Sequence, residues 1–347
     1  MSNPLRPGRY RLHLRELCLV AGLLLTSGCG GAYTLGPLPQ LSPSSPGIAW
    51  LSPLHPPDAR EIARWRSAVG PPIVSATAAA VTQSTDAVTI VSWNVALDRG
   101  DVVQLVRGLQ VSAPKRPIVL LLQEAFRGGD DVPAAATGAG FASHLGRCDP
   151  GREVDDVARE LGFALYYVPS MRNGGPGQRE DRGNAVLSSL PLDDLSAIEL
   201  PFERQRRVAV AATIRGTTSS GDPWALRLAS VHLDNLVGAR YGWIATEYGR
   251  ARQARGLREA LAGVDPLVLA GDFNTWFGFS DQAYIETARA FPQTRVQDGR
   301  RTFRGLLRLD HVFYRLAPRW AADVRRAESS FGSDHHPLIT TVVFGAG

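Results

Sequence analysis

From about residue 86 onward the chain is a succession of apolar runs of strand length: Val88 to Val95, Ile118 to Leu122, Phe163 to Val168, Ala185 to Leu187, Val208 to Ile214, Leu226 to Val231, Leu267 to Ala270, Val312 to Tyr314 and Pro337 to Val343. Several lack polar alternation, the mark of strands covered on both faces. Helical spacing falls between some of them, at Asp101 to Gln110, Glu153 to Leu161, Ala245 to Leu261 and Ser280 to Phe291. Strands outnumber helices, which excludes strict βα alternation and predicts an α+β fold of packed sheets flanked by helices. With 347 residues, 44% hydrophobic and 20% charged, the chain is too apolar for disorder. Its length suits one domain of roughly 250 to 300 residues plus an appendage.

The appendage is N-terminal. Arg6, Arg9, Arg11 and Arg15 precede the apolar run Leu17 to Leu25, which ends in Thr26-Ser27-Gly28-Cys29. A basic start, a short apolar run and small residues are the layout of a secretory signal. The run is too short for a spanning helix, which needs roughly twenty residues. The small residues before Cys29 resemble a bacterial lipobox, in which the cysteine is lipidated; Thr26 and Glu16 depart from that pattern. The expected organisation is a signal peptide at 1–28, a lipidated Cys29 with a Pro/Ser/Gly-rich tether to 57, an N-terminal extension at 58–85 carrying a short helix from Asp58 to Val69, and the main domain at 86–347. This predicts a chain exported to the periplasmic or cell-surface side and anchored to a bacterial membrane through Cys29. Cys148 alone then remains, so no internal disulfide is expected. Four arginines and one glutamate in residues 1–28 account for +3 of the formal +5, so the pI near 9.4 is poor evidence for a nucleic-acid partner. Nothing in the sequence points to an obligate protein partner.

The strand ends carry the chemistry. Ile90-Val-Ser-Trp runs into Asn94, Val119-Leu-Leu-Leu-Gln into Glu124, and Leu226 to Val231 into His232, Asp234 and Asn235. Leu267-Val-Leu-Ala-Gly runs into Asp272 and Asn274, Arg308-Leu into Asp310 and His311, and Gly332-Ser into Asp334, His335 and His336. Singly, each reads as ordinary polarity at a strand end. Together, on adjacent strands, they would converge on one pocket. Oxygen-rich donors suit a hard cation such as magnesium, with manganese or calcium as alternatives, and the absence of paired cysteines argues against a structural zinc site. A histidine paired with a carboxylate is suited to proton transfer or charge stabilisation, and the set describes metal-assisted phosphoester hydrolysis.

Val91-Ser-Trp-Asn94, Leu122-Gln-Glu124, Arg182-Gly-Asn184-Ala, Ser230-Val-His232-Leu-Asp234, Gly271-Asp272-Phe-Asn274, Leu309-Asp310-His311 and Ser333-Asp334-His335 resemble, in order, the endonuclease/exonuclease/phosphatase superfamily. Its members include DNase I-like nucleases, exonuclease III-like repair enzymes, inositol polyphosphate 5-phosphatases and neutral sphingomyelinases. The resemblance implies a four-layer sandwich, two mostly antiparallel sheets face to face with helices outside, and a magnesium site at one end. It makes Glu124 the main metal ligand, with Asn94 and Asp334 near the metal. Asp272 would align or deprotonate the attacking water, and Asn274 would help hold that water and the phosphate. His335, oriented by Asp310, and His232 would contact the phosphate. Ala96 stands where exonuclease III-like members carry an acid, which argues against a second metal; Asp98 is not assumed to replace it.

Asn184 and Arg207 are weaker phosphate-binding candidates, weighed against a turn asparagine and a solvated strand start. His311 and His336 are expected to point into packing, and His55 and His144 to lie on the surface. The aromatics Trp276, Phe277, Phe279, Tyr241, Trp243 and Tyr248 could meet a lipid or a base, with core packing the expectation for most. Arg300, Arg301, Arg304 and Arg308 would suit any polyanion or a solvated loop. The expected function is a magnesium-dependent phosphodiesterase acting on nucleic acid or a lipid headgroup. A phosphomonoesterase of the same fold and a binding module without catalysis are the alternatives. A calcineurin-type phosphatase would need Gly-Asp-x-His, which Gly271-Asp272-Phe273-Asn274 does not supply.

Overall fold

A computed structural model describes residues 35–37, 47–76, 84–134, 150–173, 177–235, 243–294 and 299–345. Cys29, the expected signal peptide, Cys148, His144 and Tyr241 lie outside the described residues. In chain order the elements are β1 (Leu35–Pro37), β2 (Ala49–Pro53), α1 (Pro56–Arg66), β3 (Ile73–Ser75), β4 (Ala87–Asn94), α2 (Val102–Ser112) and β5 (Ile118–Gly128). There follow α3 (Val154–Leu161), β6 (Ala164–Arg172), β7 (Glu180–Ser188), β8 (Asp193–Glu199), β9 (Val208–Thr217) and β10 (Pro223–His232). The last are α4 (Trp243–Ala260), β11 (Leu267–Asp272), α5 (Gln282–Ala288), β12 (Asp310–Arg315), β13 (Ala321–Arg326) and β14 (Leu338–Val343).

Two seven-stranded sheets form, in the orders β1-β2-β8-β9-β10-β11-β12 and β13-β14-β4-β5-β7-β6-β3. Both are mixed and mostly antiparallel, with parallel pairs at β2·β8, β10·β11 and β4·β5. Alternate residues of each strand face opposite ways. Val88, Ile90, Val119 and Leu121 therefore meet Val210, Leu228, Val268 and Ala270 between the sheets. Val91, Trp93, Leu120 and Leu122 face outward onto Val102 and Val106 of α2 and Val157 of α3. On the far side Ala211, Val231 and Leu269 pack on Ala254 and Leu257 of α4 and Ala283 of α5. Both faces of the central strands are covered, which is why their sequences are continuously apolar. Replacing a wholly buried leucine such as Leu121 by alanine would cost about 2–5 kcal/mol.

Local signals set the helix ends. Asp101 caps α2 by accepting from Gln104 N at 2.8 Å, α1 opens on Pro56, and Gly162 ends α3 in the left-handed conformation at φ 67°. Among the described residues no helix is long and apolar enough to cross a membrane.

The segment boundaries expected upstream of residue 86 need correction. Residues 49–53, assigned to a tether, form β2, which pairs in parallel with β8 from Ala49↔Ser196 to Leu51↔Ile198. The expected extension supplies α1 and β3, and β3 adds to the edge of the second sheet beside β6. Buried Ile62 and Trp65 on α1 give this stretch its own reason to pack.

Candidate active site

Register brings the strand ends together. His232 on β10 stands opposite Asp272 on β11, and Asp272 stands opposite Asp310 on β12, so three polar residues form a row across adjacent strands. In the other sheet Asn94 stands opposite Gln123, and Gln123 opposite Asn184. Glu124 is the extra residue of a bulge between Gln123 and Ala125. Its φ of 56° is left-handed, a conformation that costs a non-glycine residue about 1–2 kcal/mol and re-aims the side chain out of the ladder. Close approach of β10 and β11 depends on Gly271, where a Cβ would lie 1.9 Å from the Val231 carbonyl oxygen.

The two rows are joined across the sheets. Asn94 Nδ2 donates to Asp272 Oδ2 at 3.0 Å, and Gln123 Nε2 donates to Ser230 Oγ at 2.9 Å. Asp272 Oδ1 accepts from Asn274 N at 2.9 Å, and Asn274 Nδ2 donates to the Leu233 carbonyl at 2.9 Å. Asn274 has φ 50°, which asparagine tolerates better than most residues. His232 Nε2 lies 3.5 Å and His335 Nε2 3.8 Å from Asp272 Oδ2, so both imidazoles and the Asn94 amide converge on one oxygen.

His335 is held from several sides. Its Nδ1 is 2.8 Å from Asp310 Oδ2, its carbonyl accepts from Trp93 Nε1 at 2.9 Å, and its N–H donates to Ser333 Oγ at 3.0 Å. Ser333 Oγ in turn donates to the Asn94 carbonyl at 2.7 Å. The Asp310 N–H donates to Thr302 Oγ1 at 3.2 Å. Burial disfavours the charged form of His335, but Asp310 and Asp272 outweigh it and push the imidazolium up to about 10. Burial, with Arg207 and His335 nearby, holds His232 well below its usual value, so it stays neutral. Burial and then the neighbouring Asp310 push Asp272 up to about 7.

A small recess opens beside this cluster, lined by Glu124, Ser170, Met171, Arg182, Gly183, Asn184, Arg207 and His232. Arg182 Nη1 is 3.6 Å from Glu124 Oε2. Arg207, 6% exposed, donates through Nη2 to Gln205 Oε1 at 3.1 Å, while its Nε has no hydrogen-bond partner. Asn184 Nδ2 donates to the Val208 carbonyl at 2.7 Å.

Not every expected ligand comes to one point. Asp272, Asp310 and His335 bring ligand atoms within 4.8 Å of one another, a set that could hold a metal ion. Asp310 and His335 are already paired, however, which suits them to handling charge and protons. Glu124 has a partly exposed side chain, 27%, at the recess, and such an oxygen donor fits a hard cation. Asp334 pairs with Arg304, its carboxylate 3.2 Å from Nη2, and its charge adds to those that raise His335. Asp98 accepts from Phe126 N at 2.6 Å.

The other side chains singled out in the sequence divide between those that stand as expected, such as Asp234, His311 and His55, and those that do not. Asp234 is fully buried and accepts from Arg204 and Gln205 N–H at 3.0 and 2.9 Å, so it braces the loop before Arg207. Phe277 (50% exposed), Phe279 and Tyr248 lie at the surface, against the expectation of core packing for most of the aromatics. Much of the arginine cluster is internally engaged: Arg300 pairs with Glu328, Arg304 with Asp334, and Arg308 stacks 4.8 Å over Phe279. His311 is buried against Thr275 Oγ1 at 2.7 Å, and His55 is exposed. Arg182, Gln123, Ser333 and Thr302 were not singled out as site residues. Arg182 lies two residues from Asn184 on one strand, a spacing that puts both on the same face.

Fold and site together define a two-sheet sandwich of the DNase I-like class with a carboxylate and histidine cluster at one edge. Residues 91–335 match the Endonuclease/Exonuclease/phosphatase family, and the chain belongs to it. A solved endonuclease/exonuclease/phosphatase from Beutenbergia cavernae superposes with a TM-score of 0.51 at 21% identity, covering 75% of this chain and 72% of that one. A 3'-5' exonuclease from Neisseria meningitidis gives a TM-score of 0.45 at 20% identity over 74% of this chain and 99% of that one. A UPF0294 protein of Vibrio vulnificus is 34% identical over 113 residues, 31% of this chain. That match spans 37% of the relative, little more than a third of its length.

Proposed function

We propose that this chain is a divalent-cation-dependent phosphoester hydrolase, first of all a magnesium-dependent phosphodiesterase. The observation that carries this reading is the row His232, Asp272, Asp310, with His335 converging on Asp272 Oδ2 beside the recess that holds Glu124. Glu124 and Asn94 would hold the cation, with Asp334 available from its loop. When bound, the cation polarises the phosphoryl oxygens. Asp272, its carboxyl raised to about 7, takes a proton from the attacking water, and Asn274 holds that water in line. The new bond joins the water oxygen to phosphorus as the bond to the leaving oxygen breaks. The His335 imidazolium, held charged by Asp310, stabilises the charge that builds on the phosphate, while neutral His232 donates a hydrogen bond. Arg207 and Asn184 would hold non-bridging oxygens.

A phospholipid- or sphingomyelin-type substrate is the second reading. It is favoured by Phe277 (50% exposed) and Leu306 (64% exposed), on the loops that follow β11 and precede β12. Lipid anchorage at Cys29 outside the cytoplasm belongs to the same proposal and rests on the N-terminal sequence. Supercoiled plasmid, sphingomyelin vesicles and p-nitrophenyl phosphate, each with and without magnesium, separate the readings. Metal-dependent nicking supports a nuclease-like phosphodiesterase, and vesicle hydrolysis without nicking supports the lipid substrate. Cleavage of the monoester alone would refute both, and no turnover at all would favour a binding module.

A further inference from the structure

The recess is backed by chain that lies upstream of the family match. Met171, one of its lining residues, packs on Trp65, within the last turn of α1, and on Ala68, just after it. The other contacts reach the two lining arginines through the residue that precedes each.

Arg206 precedes Arg207. Its wholly buried guanidinium donates Nε and Nη2 to Glu199 Oε1 at 3.1 and 2.9 Å, and Nη1 to the Pro169 carbonyl at 2.8 Å. Pro169 adjoins the bulge that carries Ser170 and Met171 into the recess. Glu199 is shared with the upstream segment: Arg66 donates Nε to Oε1 at 3.0 Å and Nη2 to Oε2, and Ser52 Oγ donates to Oε2 at 3.0 Å.

Asp181 precedes Arg182. It accepts the Gly70 N–H at 2.8 Å, the Tyr167 hydroxyl at 2.7 Å, and a two-pronged contact from Arg127. Arg127 Nη1 donates onward to the Pro71 carbonyl at 2.7 Å. Neighbouring residues of an extended chain face opposite ways. Asp181 and Arg206 therefore point to the upstream segment while Arg182 and Arg207 line the recess. Glu199 and Asp181 are both fully buried, so each holds its arginines in one geometry.

We infer that residues 65–70, above all Arg66 and Gly70, are positioning residues for the recess, setting Arg207 through Glu199 and Arg206, and Arg182 through Asp181. The segment between the expected anchor and the family domain is on this account part of the binding site. The inference rests on the reading that the recess holds a substrate phosphate.

The test is steady-state hydrolysis of bis(p-nitrophenyl) phosphate by the full chain in magnesium, with inorganic phosphate as competitive inhibitor. Arg66→Ala is expected to raise KM and the phosphate Ki about fivefold or more while kcat stays within about twofold, the signature of lost uniform binding. Arg66→Lys keeps the charge but loses the two-pronged contact and is expected to fall between that variant and the native protein. It carries the test where Arg66→Ala does not fold. Gly70→Ala acts independently, because its Cβ would lie 2.1 Å from Arg127 Nη2 and push that arginine off Asp181; the same KM shift is expected. Arg207→Gln distinguishes the two failures. If it weakens phosphate binding while folded Arg66 and Gly70 variants bind as the native protein does, the positioning role is overturned and the recess stands. If Arg207→Gln changes neither KM nor Ki, the recess is not the anion site and the positioning role falls with it.

Discussion

Asp310 Oδ2 lies 2.8 Å from His335 Nδ1, and the contact turns the other ring nitrogen, Nε2, toward Asp272 at 3.8 Å. A charged carboxylate both orients the imidazole and keeps it protonated. Asp310→Asn retains a similar shape without the charge. The variant is expected to lose about 10²–10³-fold in kcat, the usual range for a lost electrostatic stabiliser of the transition state, with KM little changed. An unaltered kcat would mean that the His335 imidazolium takes no part in turnover.

Gly271 lets β11 lie against β10 in the register that pairs His232 with Asp272. Its absent Cβ would stand 1.9 Å from a backbone oxygen that cannot swing away. Gly271→Ala is expected to destabilise the fold by at least about 3 kcal/mol, the range of backbone strain at a buried position. Urea unfolding measures this, and a change under about 1 kcal/mol would show that the strands can slide apart at little cost.

Asp98 gives a pH signature away from the catalytic cluster. It is buried, its Oδ1 has no hydrogen-bond partner, and burial pushes its carboxyl up to about 8 in spite of the Phe126 N–H and Arg152. The folded state therefore binds a proton that the unfolded chain releases near 4. The stability from protonated Asp98 is complete below that value and is lost as pH rises toward 8. Asp98→Asn can still accept from Phe126 N and suits the left-handed backbone at this position, φ 54°. Its stability gain over the native protein is expected to be large at pH 8 and to vanish by pH 4. Urea midpoints that shift equally at both pH values would contradict this.

Much of the architecture was legible because both faces of the central strands are covered, so Val88 to Val95 or Val208 to Ile214 stand out as unbroken apolar runs. Strands with a solvated face were missed. In β13, Ala321 to Arg326, burial alternates residue by residue, and Asp193 to Glu199 starts with two acids. The polar strand ends were visible, but which of them meet depends on register: nothing local says that Asp272 lies opposite both His232 and Asp310. Arg66, Glu199 and Arg206 could not be read as a unit, since 133 residues separate Arg66 from Glu199. In the upstream segment, proline and serine density hides a strand as short as Ala49 to Pro53.

The N-terminal reading has its own test. Cys29→Ser removes the only thiol at the end of the small-residue stretch after Leu25. The variant, expressed in a bacterial host, is expected to move from the membrane to the soluble fraction. Unchanged membrane partitioning would contradict lipidation at this residue.

On the proposed function, Glu124 holds a cation that the hydrolysis of a phosphoester requires. This role is tested most directly by measuring turnover of bis(p-nitrophenyl) phosphate against magnesium concentration for the native protein and for Glu124→Gln. Turnover is expected to saturate with magnesium, to stop on chelation and to fall by about 10²-fold or more in a folded Glu124→Gln protein. Turnover that survives chelation, or that the glutamine variant retains in full, would contradict this role.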